Sequence, residues 1–336
     1  MRILVVSDTG LGLGIASRCS KDGHDILYKS PIGGNGIVKT SVEDTKWHPD
    51  LTIFDNNKYS NKCDSIRAEG AKILGPSRWS ALVEEDERYR TQFINSLGWP
   101  TNNVENGTNL YISIWFNGAY PIAVYSSIVY RRFMSGGAGR DIQCAGILSN
   151  FSPVTRKVKE TFIDPLCKTL RKVNHRGPIH IHAFVDGDKF CVKELFTSFV
   201  HPFNLPLLED VNISTSDLLL RVLDETSKTV GVLAPWAMAL QLSVPTNTDT
   251  SIKGVVPGNL KHLWFSGVNL DKDSYKIDST GALGYVTGRG INETECVRRV
   301  YRTVNNISAT DLQYRNDVGK HSSILIGKLR HEGWLS

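Results

Sequence analysis

The strongest constraint on this chain is a change of pattern at residue 100. Up to Trp99-Pro100-Thr101, short apolar runs alternate with helical stretches, whereas from Asn109 onward the chain reads as hairpins of aromatic and β-branched residues. Only the short, predominantly polar run Asn102-Asn103-Val104-Glu105-Asn106-Gly107-Thr108 separates the two regimes. Residues 2–7, 51–55 and 71–74 read as buried strands, the first followed by Gly10, Gly12 and Gly14 and a helix. Strands alternating with helices imply a parallel α/β sheet. Apolar residues at Leu82, Tyr89, Phe93 and Leu97 predict one helix over 79–97, stopped by Pro100.

Beyond the junction, Tyr111–Phe116 and Ile122–Tyr125 flank Asn117-Gly118, a hairpin signal. Residues 179–183 and 190–195 form a second hairpin across Asp186-Gly187-Asp188. Val158, Phe162, Leu166, Leu170 and Val173 predict an amphipathic helix. Residues 214–226 read as another. Strands are expected near Val230, Leu263 and Leu283, and Asn292 with Glu295 opens a helix as a capping box. The expected organisation is an N-terminal α/β domain over 1–101, a middle domain over 102–229 and a C-terminal α+β domain over 230–336.

At 336 residues and 40% hydrophobic content, the chain can bury a real core. No apolar run approaches the ~18 residues of a bilayer span. Six cysteines without a Cys-x-x-Cys pair fit a reducing, cytoplasmic setting. The formal charge of +5 permits a nucleotide or nucleic-acid partner, and equally fits a solvated surface.

Several segments are candidates for chemistry. Gly10, Gly12 and Gly14 either cradle an anion at a helix N-terminus or allow tight strand–helix packing. Gly136-Gly137-Ala138-Gly139-Arg140 is either a phosphate-binding turn, with Arg140 as cation, or an exposed loop. His180 and His182 share one face of a strand whose neighbour carries Glu194, a set that could hold a transition metal or simply face solvent.

Four segments carry a family resemblance. They are Gly75-Pro76 with the Glu84 helix and Pro100-Thr101; Cys144-Ala145-Gly146-Ile147-Leu148-Ser149-Asn150-Phe151-Ser152-Pro153; Val192-Lys193-Glu194-Leu195-Phe196 through His201-Pro202; and a C-terminal series ending Tyr314-Arg315-Asn316-Asp317-Val318-Gly319. In order and spacing they resemble glycinamide ribonucleotide synthetase (phosphoribosylamine–glycine ligase), an ATP-grasp enzyme. The resemblance implies an ATP-grasp-ligase-like fold with a truncated grasp domain, and magnesium with ATP as cofactors. It makes Glu194 the metal-ligand and catalytic position. It implies ribosyl-phosphate contacts at Gly33, Asn35, Gly36 and Gly146, with Gly10, Arg140, Arg315 and Asp317 as further ligand-binding candidates; Arg315 and Asp317 fit a structural role as well.

The sequence departs from the family where the chemistry lies. The family's asparagine is Phe196, its arginine is Ser198, and its Ser-Lys is Asp86-Glu87. The junction after Thr101 is too short for the subdomain that closes over ATP. The expected function is therefore to join a glycine-like amino acid to a phosphoribosyl or nucleotide-type partner. Without ATP, the partner would arrive pre-activated, as a nucleotide or modified DNA. The alternative is a noncatalytic protein binding a small anion or amino acid on the same scaffold.

Overall fold

The computed structural model describes residues 1–41, 47–102, 104, 107–199, 201–247 and 250–336. Asn103, Glu105 and Asn106 of the polar junction, and Val200, lie outside the described residues.

The first hundred residues build β1 (Arg2–Val6), α1 (Gly12–Lys21), β2 (Asp25–Lys29), β3 (Leu51–Phe54), α2 (Ser60–Ala68), β4 (Ile73–Leu74), α3 (Arg78–Glu85) and α4 (Glu87–Ser96). The four strands form one parallel sheet in the order β2-β1-β3-β4. Leu51, Thr52, Ile53 and Phe54 of β3 are all buried, as a strand covered on both faces requires.

The single helix expected over 79–97 is two helices. Asp86 leaves helical geometry and caps α4, its carboxylate accepting from the Tyr89 amide at 2.9 Å. The stop comes at Gly98, with φ +75°, before Pro100 is reached. Periodicity could not show this break, because it falls on the solvent face.

The remainder is dominated by β5 (Thr108–Asn117), β6 (Pro121–Arg132), β7 (Asp141–Asn150), β8 (Arg176–Asp186) and β9 (Lys189–Phe196). Between β7 and β8, α5 (Arg156–Val158) runs through a π-turn into α6 (Asp164–Lys172). Then follow α7 (Leu205–Asp210), α8 (Thr215–Leu223), β10 (Trp236–Ser243), β11 (Thr250–Ile252), α9 (Pro257–Leu260), β12 (Leu263–Phe265), β13 (Val268–Asp271), β14 (Ser274–Ile277), β15 (Ala282–Gly290), α10 (Glu293–Asn305) and α11 (Ser322–His331). An antiparallel sheet of eight strands has the order β12-β15-β10-β7-β6-β5-β8-β9, and β11-β14-β13 form a small sheet beside it.

Both expected hairpins are present, as β5–β6 and β8–β9. The strand expected near Val230 starts instead at Trp236, just past Pro235. Asn292 caps α10, but Glu295 returns its bond to the Ile291 amide rather than to that of Asn292. One apolar core runs through both large sheets, from Ile3 and Val5 to Trp115, Leu240 and Leu283. Helix α1 packs against β12 so closely that a Cβ on Gly14 would lie 2.8 Å from the Trp264 ring.

Candidate functional site

In a parallel sheet, ligands collect beyond the carboxyl ends of strands where the order reverses. Here the chain moves from β1 to β2 on one side and then to β3 on the other, so that point lies past Val6 and Phe54. Asp55, directly after β3, fills it. Its carboxylate accepts from the Asp8 amide at 2.9 Å, the Thr9 amide at 3.2 Å and the Thr9 hydroxyl at 2.6 Å, and also from Ser7 Oγ. The turn expected to cradle an anion thus turns its amides onto an internal carboxylate. The glycines serve close approach: a Cβ on Gly10 would lie 2.8 Å from Ile32, and one on Gly12 2.9 Å from Ser7.

Glu84 of α3 closes the opposite wall. It accepts from the Thr197 amide and hydroxyl at 2.8 and 2.9 Å and from the Ser198 amide and hydroxyl at 2.9 and 2.8 Å. These four bonds tie the N-terminal unit to the segment leaving β9. Between the walls lies a cleft of about 380 Å³, lined among others by Thr9, Asp55, Glu84, Ser198, His201 and Gln241. Its lining also includes Glu85 and, among the described residues, holds no lysine or arginine.

Three buried polar atoms of lining residues lack a partner among the described residues, Asn57 Oδ1, His201 Nε2 and Gln241 Oε1. His201 Nδ1 accepts from the Phe203 amide at 3.3 Å, which leaves the proton of a neutral ring on Nε2. Burial pushes the His201 imidazole down to about 4, so the ring is neutral at pH 7. The cleft therefore offers one free donor and two free acceptors beside a carboxylate-rich wall.

The glycine turn after β2 borders a second cavity, of about 480 Å³. Gly33 and Asn35 line it together with Lys29, Ser30, Asp278 and Thr280. Gly33, Gly34 and Gly36 all have positive φ because this segment runs hard against β13. A Cβ on Gly36 would lie 2.0 Å from the Leu270 carbonyl, and the Leu270 amide donates to Asn35 O at 2.8 Å.

The structure places the other sequence candidates elsewhere. Glu194 does not line the cleft. It pairs with Arg131, and its Oε2 lies 2.9 Å from His182 Nδ1. Burial pushes its carboxyl up, but the bonds from His182 and Arg131 outweigh this and hold it at about 2. His182 Nε2 is 2.7 Å from Asn109 Oδ1, and the ring stacks on Tyr111 with centroids 4.4 Å apart. His180 shares that face of β8 but engages other partners, with Nδ1 2.7 Å from Ser113 Oγ and its ring 6.0 Å from that of His201.

Among the described residues no group of three or more His, Cys, Asp or Glu is placed to hold a metal ion. Glu194 already bonds a guanidinium and an imidazole, and Phe196, two residues on, has no ligating atom. The residues present do not fit a magnesium site at Glu194.

Gly146 is buried in β7, where a Cβ would lie 2.7 Å from Val318, so it serves packing rather than ligand contact. Arg140 is exposed at the β6–β7 turn. Arg315 is 5% exposed and forks onto Asp317 with two bonds of 2.7 Å, while Asp317 also accepts from the Gly136 amide at 2.8 Å. That pair fastens the C-terminal segment to the hairpin. Asp55, His201 and Gln241 were not singled out from sequence. The one available signal was an aspartate directly after a buried parallel strand.

No family model matches the chain, and no curated protein matches it by sequence. Solved structures do. Phosphoribosylamine–glycine ligase of Thermotoga maritima is similar over 94% of this chain and 100% of its own, with a TM-score of 0.72 at 14% identity. N5-carboxyaminoimidazole ribonucleotide synthetase of Thermotoga maritima is similar over 92% and 99%, with a TM-score of 0.60 at 12% identity. Urea carboxylase of Kluyveromyces lactis is similar over 100% of this chain and 32% of its own, with a TM-score of 0.61 at 10% identity. The fold is ATP-grasp-like.

Proposed function

We propose that this protein forms a C–N bond between an amino acid and a phosphoribosyl or nucleotide-type partner, on a ligase scaffold that does not use ATP. The observation that carries the reading is the junction cleft, with its free donor and acceptors beside Asp55, Glu84 and Glu85 and no lysine or arginine in its lining among the described residues. An amino acid's ammonium suits the carboxylates. Its carboxylate accepts from His201 Nε2, and Gln241 Oε1 accepts from its amine. The cavity at Gly33 and Asn35, on the same carboxyl edge of the parallel sheet, supplies a lysine and exposed backbone for the phosphorylated partner.

The reaction this arrangement favours is displacement. One ammonium proton passes to a carboxylate of the cleft wall, which frees the nitrogen lone pair. The amine nitrogen then attacks an electrophilic carbon of the partner, the bond to the leaving group breaks, and the leaving group departs with the electron pair. Activation resides in the partner, because only residues 97–107 join α4 to β5, and the acidic cleft repels a triphosphate.

A thermal-shift panel tests this. Glycine and ribose 5-phosphate are expected each to raise Tm, and magnesium with ATP to leave it unchanged. The glycine shift is lost in Gln241→Leu and kept in Arg140→Gln. Mass spectrometry then seeks a coupled product from glycine and a nucleotide bearing a leaving group. A shift with no product under any donor leaves a noncatalytic binding protein. A product that requires ATP overturns the reading.

A further inference from the structure

A second cleft, of about 740 Å³, opens between α10 and the α9–β12 corner and shares no lining residue with the junction cleft. Arg298, Arg299 and Arg302 of α10 form one wall, Lys261 and His262 the other, and Arg289 of β15 lies between them. Among the described residues no aspartate or glutamate lines it.

Two of the cations are braced. Arg289 donates to the Glu209 carbonyl at 2.9 Å, and Arg299 donates to Glu295 at 2.7 Å and to the Arg289 carbonyl at 3.1 Å. Arg298, Arg302 and Lys261 are exposed, and no ion pair engages them among the described residues. Arg298 and Arg302 stand four residues apart on a helix, where like charges repel. Such an array is unfavourable for the free protein and favourable once an anion enters. Guanidinium forks match phosphate oxygens. Among the described residues no aromatic side chain other than the His262 imidazole lines the cleft, which therefore lacks the stacking platform that single-strand binders offer to bases.

We infer that this cleft is a phosphate-binding site, taking successive phosphates carried either by a nucleic-acid strand or by a polyphosphorylated small molecule. The inference stands apart from the proposed activity, since it uses none of the residues of that cleft.

Fluorescence anisotropy on the full chain tests it, with a labelled single-stranded oligothymidylate as probe, inorganic tripolyphosphate as competitor, and a salt titration. Charge reversal of the pair, Arg298→Glu with Arg302→Glu, is expected to weaken binding at least about tenfold. It should also flatten the log–log salt slope by about 1–2. Lys261→Glu weakens it in the same direction and serves if the paired variant fails to keep the wild-type circular dichroism spectrum. A matched reversal elsewhere, Arg78→Glu with Arg88→Glu, leaves binding unchanged. Tripolyphosphate bound directly, and lost in the variant, with no oligonucleotide binding assigns the phosphates to a small molecule; binding of both assigns them to a strand. Binding of neither at physiological salt, or equal loss in the matched control, overturns the inference.

Discussion

At the scale of single residues, two carboxylates make opposite predictions. Asp210 is fully buried, both its oxygens lack a hydrogen-bond partner among the described residues, and its nearest cation, Arg289 Nε, is 3.9 Å away. Burial pushes its carboxyl up to about 7. Because the unfolded value is about 3.9, the folded state holds the extra proton between those limits, and stability falls as pH rises through that window. Asp210→Asn keeps the shape without the charge. Its Tm advantage over wild type is expected to be larger at pH 8 than at pH 5, by several degrees; the same difference at both pH values would count against a strained buried charge. Glu84 is the reverse case, with four good bonds. Glu84→Ala should cost about 2–4 kcal/mol in urea denaturation, since it strands the Thr197 and Ser198 donors. Glu84 was legible from its place in a resembling helix. Asp55 and Asp210 were not, because a carboxylate's burial depends on segments distant in sequence.

At the scale of elements, turn and cap chemistry explain both what was legible and what was not. The β5–β6 and β8–β9 hairpins followed from Asn117-Gly118 and Asp186-Gly187, whose residue types encode their turns. The α3–α4 break did not, since Asp86 is one polar residue among several on a solvent face. Asp86→Ala should cost about 1 kcal/mol through loss of the α4 cap, read by chemical denaturation. The glycine runs were legible as special positions but not in purpose, because tight packing and anion cradling demand the same residue. Gly36→Ala separates the two. With φ +74° and a Cβ 2.0 Å from the Leu270 carbonyl, the change should lower Tm sharply with no ligand present. A variant stable alone but defective only in ribose 5-phosphate binding would instead mark a ligand turn.

For the whole molecule, the order of strand and helix patterns was enough to reach an α/β unit followed by an antiparallel sheet. What stayed hidden was charge placement: an acidic cleft gathered from residues as far apart as Thr9 and Tyr285, and a basic one that the folding of residues 254–306 brings together. A single core crossing both sheets predicts one cooperative unfolding transition, with far-ultraviolet dichroism and tryptophan fluorescence coinciding. Separated transitions would show that the N-terminal sheet melts on its own. The position of β10 also bears on synthesis. It pairs β7 through residues 236–240, so a nascent chain that has passed α8 still presents the backbone edge of residues 146–150, bare, to every neighbouring ribosome product. Holding that edge until the missing strand emerges is work for a chaperone, and expression at lowered temperature should raise soluble yield more for this chain than its final stability alone would suggest.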